Sequence, residues 1–113
     1  VKLYGIKNCD SVKKARKFLD SHGIEYEFID LKESKIDCNT IKKWLQFTTI
    51  DKLFNTRGKK YKELELKNLN LDEEEKKEWL CKEPILIKRP VIEIQNQTVV
   101  GYNIKEYENI FLQ

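Results

Sequence analysis

Cys9 stands where cysteine chemistry is easiest to start. Ahead of it, Val1-Lys-Leu-Tyr-Gly-Ile6 predicts a short strand, with Leu3 and Ile6 apolar and Tyr4 adding β propensity. After it, Val12, Ala15, Phe18 and Leu19 recur on one face of a predicted helix, and Asn8 to Ser11 supply candidate N-caps. The thiol therefore lies at a strand-to-helix handover, near backbone N–H groups without intrahelical partners and at the positive end of the helix dipole. Such a position favours thiolate, the form that attacks disulfides and oxidised substrates. Lys7, Lys13 and Lys14 add positive charge nearby in sequence. The competing role is an inert apolar filler of the first helical turn, and the position favours the reactive one.

The other groups that could do chemistry are few. Cys38 and Cys81 are far apart in sequence, no CxxC occurs, and His22 is the only histidine. A zinc site is not expected, and an odd number of spaced cysteines suits a reducing compartment. Neither Cys38 nor Cys81 stands at a strand-to-helix turn, so both read as structural thiols. One of them acting as a distant resolving thiol for Cys9 is the alternative. It requires Cα atoms roughly 4.4–6.8 Å apart, which a sequence does not fix. His22 falls at the far end of the first helix from Cys9 and reads as a helix-end surface residue rather than a base.

Placing Cys9 requires the elements around it. The first helix is expected from about Ser11 to Ser21, with Gly23 as its left-handed C-terminal residue. Ile24 to Leu31 alternates, with Ile24, Tyr26 and Phe28 opposite Glu25 and Glu27, and predicts a second strand. A crossover of this length makes the two strands parallel and puts Cys9 at the carboxyl end of the first, where open α/β sheets place their sites. The stretch from about 33 to 83 changes character. Ile41, Trp44 and Leu45 follow the candidate caps Asp37 and Asn39. Ile50, Leu53 and Phe54 suggest a short helix ending near Thr56-Arg57-Gly58. Leu69 to Leu80 reads as a further helix with an acidic first turn, Leu64 and Leu66 as anchors of a loop or extra turn, and Trp44 and Trp79 as core.

The last third returns to β character. Ile85 to Pro90 reads as an extended approach, Val91 to Ile94 and Thr98 to Tyr102 as an antiparallel pair joined through Gln95-Asn96-Gln97. Ile104, Tyr107, Ile110 and Phe111 mark a closing amphipathic helix. Pro90 cannot donate a ladder hydrogen bond, so its place before a strand needs either an edge position or a cis Arg89-Pro90 bond.

Composition bounds the rest. The 113 residues are 40% hydrophobic and 36% charged, with 22 basic and 19 acidic side chains for a net charge of +3. That fits one soluble domain with its own core. The balance is too even to imply nucleic-acid binding, since lysine runs alternate with Glu and Asp. No long apolar run predicts a membrane span, and the charged start does not resemble a signal peptide. The expected location is cytoplasmic and the expected state a monomer.

Three segments together resemble a known family. They are Leu3-Tyr-Gly-Ile-Lys-Asn-Cys-Asp-Ser-Val-Lys-Lys-Ala-Arg16, Phe54-Asn-Thr-Arg-Gly58 and Pro84-Ile-Leu-Ile-Lys-Arg-Pro-Val91. In order and spacing the chain resembles the ArsC/Spx family of arsenate-reductase-like proteins, and within it the YffB-like branch. The resemblance implies an α/β fold with a thioredoxin/glutaredoxin-like mixed four-stranded sheet and a helical insertion between the second and third strands. It implies one domain over 1–113, with the thioredoxin-like core at about 1–32 and 84–113 and the insertion at about 33–83.

It further implies a glutathione-dependent thiol-disulfide reductase with no bound cofactor, glutathione serving as thiol co-substrate. Cys9 takes the position of the catalytic cysteine. Arg57 and Arg89 match two arginines that line the anion site of the arsenate reductases, where planar, permanently charged donors hold an oxyanion or a glutathione carboxylate. Asn8 and Asp10 would shape the turn, and Pro90, if cis, would present backbone groups beside Cys9. The partners implied are glutathione or an anionic small molecule, and a protein mixed disulfide. The arsenate reductases carry a longer cysteine loop, and their third arginine falls at Tyr102. The Spx regulators use a CxxC switch whose second position here is Val12, which leaves a switch-free partnership with RNA polymerase as the alternative function.

Overall fold

The computed structural model describes residues 1–112. Strand β1 (Lys2–Gly5) leads through α1 (Asp10–Ser21) to β2 (Glu27–Asp30). Four helices follow, α2 (Cys38–Trp44), α3 (Ile50–Leu53), α4 (Lys59–Glu63) and α5 (Glu73–Lys82), before β3 (Val91–Ile94), β4 (Gln97–Val100) and α6 (Ile104–Phe111). The strands form one mixed sheet in the order β2-β1-β3-β4. β1 runs parallel to β2, as the crossover length requires, and antiparallel to β3, which pairs antiparallel with β4.

Side-chain alternation along the strands builds two apolar layers, one on each face of the sheet. Leu3, Ile92 and Val99 face α1 and α6, where they meet Val12, Phe18 and Tyr107. Tyr4 and Val91 face the helical segment between β2 and β3 and pack with Ile41, Trp44, Leu53 and Leu80. The β1–α1 handover is tight. A Cβ on Gly5 would lie 2.6 Å from a methyl of the buried Val12, so the strand's last residue must be glycine for α1 to seat this close. Gly23 ends α1 with φ +66°, the left-handed value expected of it.

A polar clamp ties α2 to the sheet. Trp44 Nε1 donates to Glu93 at 2.9 Å, Lys43 Nζ at 3.1 Å and the Tyr4 hydroxyl at 3.4 Å. Burial opposes the charge on Glu93, but the Trp44 and Lys43 hydrogen bonds and the Lys43 charge outweigh it and hold the carboxyl below its ordinary range. The Tyr4 hydroxyl is pushed up to about 12, by burial first and then by the Glu93 charge.

Several expectations need correction. α5 begins at Glu73 rather than near Leu69, because Asp72 and Glu75 form a reciprocal capping box that fixes its first turn. Leu69 belongs instead to a separate 3₁₀ turn at Leu66–Leu69 and is exposed. α4 was not foreseen as a helix, and it buries no residue fully. Trp44 is fully buried, whereas Trp79 is only half-buried, with Lys82 Nζ 5.0 Å from its ring centroid. The segment before Pro90 is not simply extended: Pro84–Leu86 forms a 3₁₀ turn, and Ile87 then bridges to Phe54.

The largest correction concerns the cysteines. Cys38, at the start of α2, and Cys81, near the end of α5, form a disulfide with Cα atoms 5.1 Å apart. They are a cross-link rather than two separate thiols because α2 packs directly against α5. Cys9 is the free cysteine, and neither of the others stands as its partner.

Candidate functional site

The strand-to-helix turn places the thiol as the sequence predicts, with one refinement. Cys9 itself is the N-cap of α1, in extended backbone (φ −90°, ψ 126°). Its N–H donates to the Ile6 carbonyl at 3.3 Å, and its carbonyl accepts from Lys13 N–H at 2.9 Å. Serine, threonine or aspartate would normally sit here and offer a side-chain oxygen to the first helical N–H groups, and Cys9 makes no such capping bond. A helix N-terminus uncapped by its own cap residue leaves N–H groups and dipole available to a sulfur anion or a ligand. Cys9 is half-buried, packed against the α1/α6 layer but not sealed by it. Asn8 and Asp10 flank it and are exposed, Asp10 sitting in the first turn of α1.

The Arg89-Pro90 bond is cis, and Pro90 is buried at the entrance to β3. β3 lies inside the sheet, so the edge reading for Pro90 does not hold. The Pro90 carbonyl accepts from Gly101 N–H at 2.7 Å, and the Gly101 carbonyl accepts from the buried Tyr107 hydroxyl at 2.7 Å. Gly101 has φ +84°, open to glycine and strained for other residues, which lets the chain turn from β4 to α6 at this point. Burial raises the Tyr107 hydroxyl well above its ordinary range, so it stays a donor.

Arg89 is fixed by the fold rather than by an acidic partner. Its Nη1 donates to the Ile85 carbonyl of the 3₁₀ turn at 2.9 Å, its Nε is buried without a hydrogen-bond partner, and it forms no salt bridge among the described residues. Unpaired buried donors are uncommon, and the charge is left for something other than a protein carboxylate. Arg89 lines an open cavity of about 660 Å³ together with Ser11, Lys52, Lys88, Tyr102 and Asn103. Glu106 is the only carboxylate on this wall, against three cations, so the cavity suits an anionic ligand. Ser11 puts the cavity beside the first turn of α1, whose cap is Cys9.

Local backbone pairing explains why Lys52 and Lys88 converge. Lys88 N–H donates to the Leu53 carbonyl and Asn55 N–H to the Leu86 carbonyl, both at 2.8 Å, which staples the end of α3 to the approach to β3. Arg57 lies just beyond this staple. It is exposed, its N–H is held by Asn55 Oδ1 at 3.0 Å, and it is not on the cavity wall. The cavity wall therefore holds Arg89 and, from the first turn of α1, Ser11, whereas Arg57 and the residues Asn8, Cys9, Asp10 and Pro90 are not on it. Sequence reasoning missed Lys52 and Lys88, although Lys88 adjoins Arg89 in the chain. Tyr102, noted only as the place of a missing arginine, lines the cavity. No three His, Cys, Asp or Glu side chains cluster to hold a metal ion among the described residues, and no helix is long and apolar enough to cross a membrane.

A mixed four-stranded sheet with a free cysteine at the carboxyl end of its first strand and a cis-proline entering its third is a thioredoxin-like arrangement. Comparison with known proteins then narrows the class. The ArsC family model matches residues 4–110, and the chain belongs to that family. An uncharacterized protein of Haemophilus influenzae is 37% identical over 112 residues, covering 98% of each chain. The global transcriptional regulator Spx of Listeria innocua is 32% identical over 108 residues, covering 94% of this chain and 82% of its own. The solved structure of a YffB protein (PA3664) superposes with a TM-score of 0.88 at 37% identity, covering 96% of both chains.

Proposed function

We propose that the chain is a glutathione-dependent thiol-disulfide reductase in which Cys9 is the nucleophile. The observation that carries this reading is a free, half-buried thiol capping α1 beside a cation-lined cavity that contains Arg89. Cys9 thiolate would attack the glutathione sulfur of a mixed disulfide, forming Cys9–S–S–glutathione and releasing the substrate thiolate. A second glutathione thiolate would then attack the glutathione sulfur of that adduct, releasing glutathione disulfide and regenerating Cys9. One free glutathione is consumed per turnover and supplies the electron pair, the other half of the glutathione disulfide coming from the mixed disulfide itself. Arg89, with Lys52 and Lys88, would hold a glutathione carboxylate, and Arg57 would meet the outer part of a larger anionic or protein substrate. Asn8 and Asp10 would shape the turn, and Pro90 would set the backbone next to Arg89 and, through its carbonyl, hold Gly101 of the cavity wall. The proposed setting is the cytoplasm, where glutathione is abundant.

Arsenate is the weaker substrate under this reading, because Tyr102 occupies the place of the third arginine and an oxyanion loses one counter-charge. The test is turnover of a small glutathione mixed disulfide by wild type and by Cys9→Ser. Loss of all turnover in a folded Cys9→Ser protein is expected, and equal turnover would remove Cys9 from the reaction.

The similarity to a global transcriptional regulator over 94% of this chain supports a second reading, a protein-binding module with RNA polymerase as the proposed partner. Binding of purified polymerase that survives Cys9→Ser, without thiol turnover, would favour it over the reductase.

A further inference from the structure

We propose that Cys38 and Cys81 form a second thiol–disulfide site, separate from Cys9, at which the chain exchanges two electrons with thiols of the glutathione class. The pair joins α2 to α5 across 43 residues of sequence, with Cα atoms 5.1 Å apart, well inside the range a disulfide needs. Both cysteines are half-buried rather than sealed in the core. They open into a surface groove of about 600 Å³ whose wall also carries Lys42, Lys77, Lys82, Glu74 and Glu78. A structural cross-link in a core has no such approach, whereas exchange requires an incoming thiolate to reach a sulfur.

The charges around the groove suit that thiolate. Lys77 is paired with Glu74 at 3.2 Å and Lys82 lies over the Trp79 ring. Lys42 forms no salt bridge among the described residues. Lys42 is therefore free to attract a glutathione carboxylate and to favour the anionic form of a cysteine released there. The site is also remote from the first in layer. Cys81 packs against the α2–α5 layer and Cys9 against the α1/α6 layer, on opposite faces of the sheet.

The exchange balances without Cys9. One cysteine thiolate of the reduced pair attacks glutathione disulfide, forming a mixed disulfide and releasing one glutathione. The second cysteine attacks the protein sulfur of that mixed disulfide, closing Cys38–Cys81 and releasing the other glutathione. Two electrons pass from the protein to glutathione disulfide, and excess glutathione reverses both steps.

The experiment uses Cys9→Ser, so its outcome does not depend on the proposed reductase. The folded protein is equilibrated across a wide range of glutathione to glutathione disulfide ratios, quenched by acid and alkylation, and mapped by mass spectrometry. Circular dichroism confirms the fold at each end of the range. The expected result is one two-electron transition between the Cys38/Cys81 dithiol and the intramolecular disulfide. In Cys9→Ser/Cys81→Ser, a glutathione adduct on Cys38 should accumulate. A pair that stays in one state across the whole range overturns the proposal. So does a pair that is reduced only after denaturant is added, or one in which Cys38 alone takes up no glutathione.

Discussion

Arg57 and Arg89 carry the same resemblance-based role, yet the fold treats them differently, and the difference is measurable. Arg89 is anchored on the Ile85 carbonyl and lines the cavity beside α1, whereas Arg57 is exposed and off its wall. A charge-assisted hydrogen bond contributes about 1.5–3 kcal/mol, so Arg89→Ala should lower kcat/KM for a glutathione mixed disulfide by at least about tenfold. Arg57→Ala should lower it by less than about threefold, and equal losses would contradict the placement. Glu93 gives a second prediction at this scale. Its folded carboxyl titrates below its unfolded value of about 4.3, so its stabilising effect is complete above that value and is lost as pH falls through the folded one. Denaturant unfolding of wild type and Glu93→Gln should thus differ most near neutral pH and converge in acid. Cys9 was legible because its position is local: a strand pattern, a cap region and a helix pattern meet there. Lys52 was not, because only the Leu53–Lys88 backbone bond brings it to the cavity.

The elements read clearly wherever an apolar stripe decided them, as in β1, α1 and α6, whereas β2 covers only Glu27–Asp30 of the Ile24–Leu31 alternation. They blurred where capping or short-range hydrogen bonds decided instead. Lys59–Glu63 carries no residue that α4 buries fully, so no periodic signal marked it. Leu69 and Leu71 looked like the first turn of α5, but the Asp72–Glu75 box starts the helix after them. Ile104 matched the apolar stripe of α6 yet is 50% exposed, because it opens the helix beyond the layer that Tyr107 enters. The β1–α1 junction tests how closely one element seats another. Gly5→Ala should destabilise by about 1–3 kcal/mol, since the added methyl meets Val12 and one of the two must shift. Urea unfolding measures it. A neutral result would show that α1 can slide without consequence, and Cys9 with it.

Across the whole molecule, the Cys38–Cys81 link is the largest feature that sequence reasoning missed, because two cysteines 43 residues apart in the chain become neighbours only through the packing of α2 on α5. In the loop-entropy model a closed loop of that size stabilises by about 4 kcal/mol. Reduction should therefore lower Tm by about 15–20 °C while leaving the sheet's circular dichroism intact. An unchanged Tm would mean that α2 and α5 hold together equally well without the bond. The even charge balance read from composition is not even in space: the cations gathered at the Arg89 cavity come from α3, the β3 approach and Arg89 itself.

The reductase reading meets its most direct test in the adduct it requires. Wild type with Cys38–Cys81 oxidised has Cys9 as its free cysteine, and exposure to a glutathione mixed disulfide, followed by acid quench and peptide mass spectrometry, separates an adduct on the Cys9 peptide from any on Cys38 or Cys81. The expected result is a glutathione adduct on Cys9, formed at least as fast as turnover and discharged on adding glutathione. Failure of the adduct to form, or an adduct that glutathione does not discharge, would contradict Cys9 as the nucleophile of a glutathione-dependent cycle.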